Sequence, residues 1–121
     1  MKQKEAFMSK PVGPYSPFKK TENLVFTSGQ IGAVDGVVVE GGLEAEFTQA
    51  LTNLENVLRD AGITKDNVLK CTIFMTDMND YAKVNEIYLT FFEDHRPARS
   101  AVAVASLPLG ALIEIEAIAS V

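Results

Sequence analysis

The sequence predicts an α+β fold, one mixed sheet with two helices packed on one of its faces. Three observations predict it. Leu43, Phe47, Ala50, Leu51, Leu54, Val57, Leu58 and Ala61 recur at the spacing of a single helical face. Two later runs, Val68 to Met75 (VLKCTIFM) and Leu112 to Val121 (LIEIEAIASV), have the β-branched or alternating character of strands. The order of elements is strands, helix, strand, helix, strand, strand, which suits a two-layer sandwich. A chain of 121 residues is the size of one domain, so residues 1–121 are read as one unit.

Residues 1–15 read as an extended entry segment, ending in the stiff Gly13-Pro14-Tyr15, because proline fixes its own φ and restricts the residue before it. Leu24 to Ser28 reads as a strand, ended by Gly29. Asp35-Gly36 is a strong hairpin signal, which would pair Gln30–Ala33 with Val37–Glu40. Gly41-Gly42 breaks that strand and starts the first helix, with Glu44 and Glu46 in the turn where the helix dipole favours negative charge. Gly62 stops it. Asp77 or Asn79 could cap a second helix carrying Tyr81, Val84, Tyr88, Phe91 and Phe92 on one face. That face reads as core. Arg99 to Val104 and Leu112 to Val121 are the last strands, joined through Leu107-Pro108-Leu109-Gly110. Two helices cover one sheet face, and no third helix is available for the other. A large apolar face needs a cover, so self-association about a symmetry axis is expected.

Composition narrows the function classes. The formal net charge is −5 and the only candidate basic cluster is Lys19–Lys20, which argues against a nucleic-acid partner. One cysteine, Cys71, excludes an internal disulfide, and its place in an apolar strand suggests an inert core thiol. With one histidine, His95, and one cysteine, no metal site is expected. The glycines lack phosphate-loop spacing. The N-terminal MKQKEAFMSK has no apolar signal region and no run approaches the ~20 apolar residues of a membrane span, so a cytoplasmic protein without membrane contacts is expected.

Few residues point to chemistry on their own. Arg99 begins a strand of small residues, with Ala101 and Ala103 expected on its face; a guanidinium above a gap could hold a carboxylate, although a surface arginine at a strand end accounts for it as well. Alternation places Ile113, Ile115, Ala117 and Ala119 on one face and Glu114, Glu116, Ile118 and Ser120 on the other. Glu114 is either a solvated acid or a half-buried one, whose pKa burial would raise and a nearby arginine would lower; such a carboxylate could activate water. Tyr15 either packs or reaches a site as a donor. Ser28-Gly29 is either a plain turn or a place where a ligand approaches a backbone N–H.

Together these residues resemble a known family. PARS at 97–100 and, after Ala101, the run VAVASLPLGALIEIEAIA are similar to the C-terminal signature of the RidA/YjgF family. GPY at 13–15, FTSGQIG at 26–32, KCTIFMTDMNDYAKVNEIY at 70–88 and FF at 91–92 also resemble it. The likeness covers nearly the whole chain after about residue 11. It implies a chorismate-mutase-like sandwich assembling as a homotrimer, with sheets around a central barrel and sites between subunits. It implies hydrolysis of 2-iminopropanoate and 2-iminobutanoate to 2-oxo acids and ammonia, without a cofactor. By the same likeness Arg99 holds the substrate carboxylate with the Gly29 N–H, Glu114 positions water, and Tyr15 hydrogen-bonds at the cleft. Ala101 stands where the family often has cysteine, leaving only a backbone role. Ser28 and Asn85 match positions near the site. The link from the second helix to PARS, His95-Arg96, is shorter than in many members, which bears on the cleft wall. Two other readings stay open: a small-carboxylate-binding or chaperone-like trimer without catalysis, and a ribonuclease or translation inhibitor.

Overall fold

The computed structural model describes residues 13–121. The expectation for residues 1–12 of the entry segment lies outside them. The elements are β1 (Phe18–Lys20), β2 (Leu24–Thr27), β3 (Gln30–Ile31), β4 (Ala33–Val34), β5 (Val37–Val38), α1 (Gly42–Asp60), β6 (Val68–Met75), α2 (Tyr81–Phe92), β7 (Ala98–Ala103) and β8 (Ile113–Ser120). The main sheet has the order β1-β2-β8-β6-β7, with β3 also paired to β8. β6 and β7 run parallel and the other pairs are antiparallel, so the sheet is mixed. This is the predicted α+β arrangement.

Alternation decides which side of each strand is buried. On β6, Cys71, Ile73 and Met75 are buried, and on β8, Ile113, Ile115, Ala117 and Ala119. They pack against Phe47, Ala50, Leu51, Leu54 and Leu58 of α1 and Val84, Tyr88 and Phe92 of α2. The intervening residues of β6 and β8, including Thr72, Phe74, Glu114, Glu116 and Ile118, are half-buried or exposed. They form the other face with Phe26 and Val102, each 42% exposed, and the described residues place no helix over it.

Several details differ from the sequence reading. The Asp35-Gly36 turn forms with both residues at positive φ (52° and 82°), yet only Ala33–Val34 and Val37–Val38 pair across it. Gln30–Ile31 leaves the hairpin to pair with β8. Glu46 is not a dipole partner at the helix start. It is buried, and its carboxylate accepts from the Leu112 N–H at 2.8 Å, tying α1 to the entry of β8. Gly32 lets α1 approach, since a Cβ there would lie 2.2 Å from the Glu46 carbonyl oxygen. Asp77 caps a short 3₁₀ turn (Met78–Asp80) ahead of α2, accepting from the Asn79 N–H at 2.9 Å. Tyr81 is exposed, and Phe91 is half-buried at the core's margin. β1 has no counterpart in the sequence reading; its Lys19 and Lys20 are exposed, and Lys20 Nζ donates to the Ala61 carbonyl at 2.9 Å, past the end of α1.

Candidate active site

The residues singled out in the sequence fall into two groups on opposite faces of the sheet. The first gathers at the end of β2. The Ser28 hydroxyl donates to the Ser16 carbonyl at 2.6 Å and the Ser28 N–H to the Pro17 carbonyl at 2.9 Å. These bonds fasten the segment carrying Tyr15 beside Ser28-Gly29. Tyr15 is 45% exposed. Glu114 comes from β8. A Cβ built on Gly29 would lie 1.9 Å from Glu114 Oε2, so the carboxylate occupies the space a side chain would take. Only glycine allows this contact, which gives the Ser28-Gly29 pair a purpose beyond ending a strand. Burial, and then the charge of Glu116, raise the Glu114 pKa above the ordinary carboxylate value.

The second group lies at the rim of the helix-covered face. In the parallel register Arg99 pairs with Cys71 and Ala101 with Ile73, and paired residues share a face. Arg99 therefore points toward α2. Its Nη2 donates to the Tyr81 hydroxyl at 3.0 Å and to Asn85 Oδ1 at 2.7 Å. Its guanidinium carbon lies 4.7 Å from the Tyr88 ring centroid and 5.5 Å from that of Tyr81, within cation–π range. Asn85, Tyr88, Leu89, Arg96, Pro97 and Arg99 line a cleft of about 350 Å³. Two arginines and a carboxamide on one wall suit a small anion.

Two expectations change here. The guanidinium does not hang over Ala101 and Ala103; it turns to the α2 aromatics, and Ala101 packs against the core. No arginine lowers the Glu114 pKa within the chain, because Arg99 is on the other face; the raising causes act alone. The helical pattern reads Tyr81 and Tyr88 only as core. Their spacing with Asn85 on one helical face, each bearing a hydroxyl, is the available signal, since aromatic residues with a polar tip favour half-wet walls.

The His95-Arg96 link is held by hydrogen bonds. His95 Nε2 lies 2.7 Å from the Val68 carbonyl, which can only accept, so that nitrogen carries the hydrogen. Arg96 donates to the Glu93 and His95 carbonyls. Cys71 is buried, and burial pushes its thiol up to about 11, leaving it protonated and poorly nucleophilic. The Tyr88 hydroxyl is buried with no hydrogen-bond partner among the described residues. Burial, and then the neighbouring Cys71 thiol, raise its pKa. Among the described residues no group of three or more His, Cys, Asp and Glu could hold a metal, and no helix is long and apolar enough to cross a membrane. A larger groove of about 480 Å³ between α1 and α2 is lined by Glu44, Glu55 and Glu86, and the lysine beside it, Lys83, is paired with Glu86 at 2.9 Å, so it does not suit an anionic substrate.

Comparison with known proteins extends this picture. The profile of the family described as Endoribonuclease L-PSP matches residues 5–121. The mouse 2-iminobutanoate/2-iminopropanoate deaminase is 46% identical over 110 residues, covering 89% of this chain and 82% of the mouse protein. A solved structure from Thermotoga maritima, 42% identical, superposes with a TM-score of 0.92 over 100% of this chain and 98% of its own. Escherichia coli TdcF with bound serine, 34% identical, gives a TM-score of 0.90 over 98% and 96% of the two chains.

Proposed function

The chain belongs to the YjgF/RidA family, the one described as Endoribonuclease L-PSP, and from that premise we propose that it hydrolyses 2-imino and enamine acids, such as 2-iminopropanoate and 2-iminobutanoate, to 2-oxo acids and ammonia. The observation that carries the reading is the pair of opposed charged groups, Arg99 at the rim of an anion-suited cleft and Glu114 half-buried on Gly29. The similarity to a deaminase from mouse supports it. So does the serine bound by TdcF, since serine and a 2-imino acid share a carboxylate next to a nitrogen-bearing carbon.

One chain does not bring Arg99 and Glu114 together, because they occupy opposite faces. A site using both takes Arg99, Asn85 and the Ala101 backbone from one copy and Glu114, Gly29, Ser28 and Tyr15 from another. A homotrimer with its uncovered sheet faces turned inward meets that need and covers Phe26, Phe74, Val102 and Ile118.

In the assembled site Arg99 holds the carboxylate, helped by the Gly29 N–H. Water attacks the iminium carbon, and Glu114 accepts one of its protons as the C–O bond forms. The carbinolamine nitrogen takes up that proton from Glu114, the C–N bond breaks with its electron pair leaving on ammonia, and the hydroxyl gives its proton back to the Glu114 carboxylate as the C=O of the 2-oxo acid forms. The iminium carbon is already electrophilic, so positioning and one proton acceptor suffice. Burial and the charge of Glu116 raise the Glu114 pKa, which makes its carboxylate a stronger proton acceptor than an ordinary one.

The family description also names an endoribonuclease. The net charge of −5 disfavours that reading, as does the use of Lys20 within the fold. A coupled assay separates the readings. An amino-acid oxidase generates 2-imino acids in situ, and semicarbazide traps those that persist. The wild type is expected to suppress trapping and speed 2-oxo acid release, and Arg99→Ala to lose this by roughly 10²-fold or more, as for a truncated charged hydrogen bond of ~3 kcal/mol. Near-normal turnover in Arg99→Ala refutes the carboxylate role. Binding of 2-oxo acids without turnover in the wild type points to a binding protein, and RNA cleavage that survives Arg99→Ala to a nuclease.

A further inference from the structure

The way the cleft holds Arg99 bears on how it receives a carboxylate. One terminal nitrogen, Nη2, donates both to the Tyr81 hydroxyl at 3.0 Å and to Asn85 Oδ1 at 2.7 Å. Nη2 carries two hydrogens, and two acceptors on that nitrogen use both. A guanidinium grips a carboxylate through two parallel N–H bonds. Its end-on fork pairs Nη2 with Nη1 and its side-on fork pairs Nη2 with Nε, so both forks need the nitrogen already engaged. To grip a carboxylate with two bonds, Arg99 has to release one of its present partners.

Tyr81 is the partner that can leave. The Asn85 bond is the shorter, and Asn85 is half-buried. Tyr81 is 42% exposed, and its hydroxyl can turn to water once released. The ring stacking, 4.7 Å to Tyr88 and 5.5 Å to Tyr81, does not depend on that hydroxyl, so Arg99 keeps its seat when the bond opens. We propose that Tyr81 is a latch on Arg99, its hydroxyl competing with the substrate carboxylate for Nη2 and thereby setting the affinity for small 2-imino and 2-oxo acids. This rests on the carboxylate role given to Arg99 above. The latch also discriminates. A carboxylate makes charge-assisted bonds roughly twice as strong as neutral ones and displaces a phenol. A neutral imine, lacking that charge, does not.

Tyr81→Phe keeps the ring and removes the hydroxyl. Calorimetric titration with 2-oxobutanoate and steady-state turnover of imino acids are measured on the wild type, Tyr81→Phe, Arg99→Lys and the double variant. The Tyr81→Phe Kd and KM are expected to fall together by roughly two- to tenfold, the worth of one released hydrogen bond, with KM changing more than kcat. The gain is expected to vanish in the Arg99→Lys background, because an ammonium has no fork. Weaker or unchanged binding by Tyr81→Phe, with Arg99→Lys binding poorly, overturns the latch alone. So does a gain that persists in the double variant, where no fork is left to release. If Arg99→Lys binds 2-oxobutanoate as the wild type does, the two-bond grip fails and the latch with it; if Arg99→Ala also does so, the carboxylate role itself fails.

Discussion

The two faces of the sheet are built by the same strands and end in different states. Alternate residues of β6 and β8 point each way. On one side Cys71, Ile73, Met75, Ile113, Ile115, Ala117 and Ala119 are closed off by α1 and α2. On the other, Phe74, Ile118, Glu114 and Glu116 stay partly or fully open beside Phe26 and Val102. The first face completes its packing within one chain and carries the stability. The second is left without a helix by the described residues and keeps a half-buried carboxylate, the condition in which a proton acceptor is useful. Arg99 belongs to the closed face but stands on β7, the strand at the end of the sheet, beside the cleft that α2 helps to line.

Substitutions on the two faces test this division. The largest effect is expected from Phe47→Ala, since Phe47 is fully buried between α1 and the sheet. Its loss should destabilise the fold by about 3–5 kcal/mol, a large part of the ~5–15 kcal/mol of a typical domain, as read by urea unfolding. A loss below ~1 kcal/mol would mean that α1 does not close the inner face. Ile118→Lys places a charge on the open face, where its stem can reach solvent. The circular dichroism spectrum is expected to stay that of the folded chain while sedimentation shifts to single chains and deaminase activity falls with assembly. An unchanged sedimentation coefficient breaks the proposal that this face is the one covered by other copies.

Glu114→Gln separates chemistry from stability. Turnover is expected to fall roughly 10²-fold or more with loss of the proton acceptor, measured with imino acids in the coupled assay. Stability should move the other way. Burial raises the folded-state pKa of Glu114, so the folded chain binds that proton more tightly than the unfolded chain. The resulting stabilisation is present in acid and is lost as pH rises through the window between the ordinary glutamate value and the raised one. The glutamine variant should therefore gain stability over the wild type near neutrality and lose that advantage in acid. A glutamine variant less stable at neutral pH contradicts the burial account. Glu116→Gln is the smallest change. It removes the second cause of the raised Glu114 pKa, so the acid limb of kcat/KM should move to lower pH. A limb that stays in place assigns the shift to burial alone.

Much of this arrangement is legible from the chain. The helical period from Leu43 to Ala61 locates α1, and the IEIEA alternation correctly places Glu114 and Glu116 opposite Ile113, Ile115 and Ala117. Asp35-Gly36 marks its turn. β1 escapes because Phe18-Lys19-Lys20 is a short, mostly exposed edge strand without a repeated apolar pattern. Glu46 misleads because a charge in a first turn suits the dipole, while its bond to the Leu112 N–H spans 66 positions of sequence.

The local periods are written in the chain: which residues of a helix share a stripe and which residues of a strand share a face. Those follow from backbone geometry that each segment carries alone. Which of the two strand faces meets the helices follows from the packing of the folded chain. That packing placed Arg99 with Cys71 on the covered side and against Tyr81, Asn85 and Tyr88, and it set Glu114 against Gly29 on the open side. Strand register and helix packing are contacts between distant segments, settled by the burial of the whole core, and no local pattern encodes them.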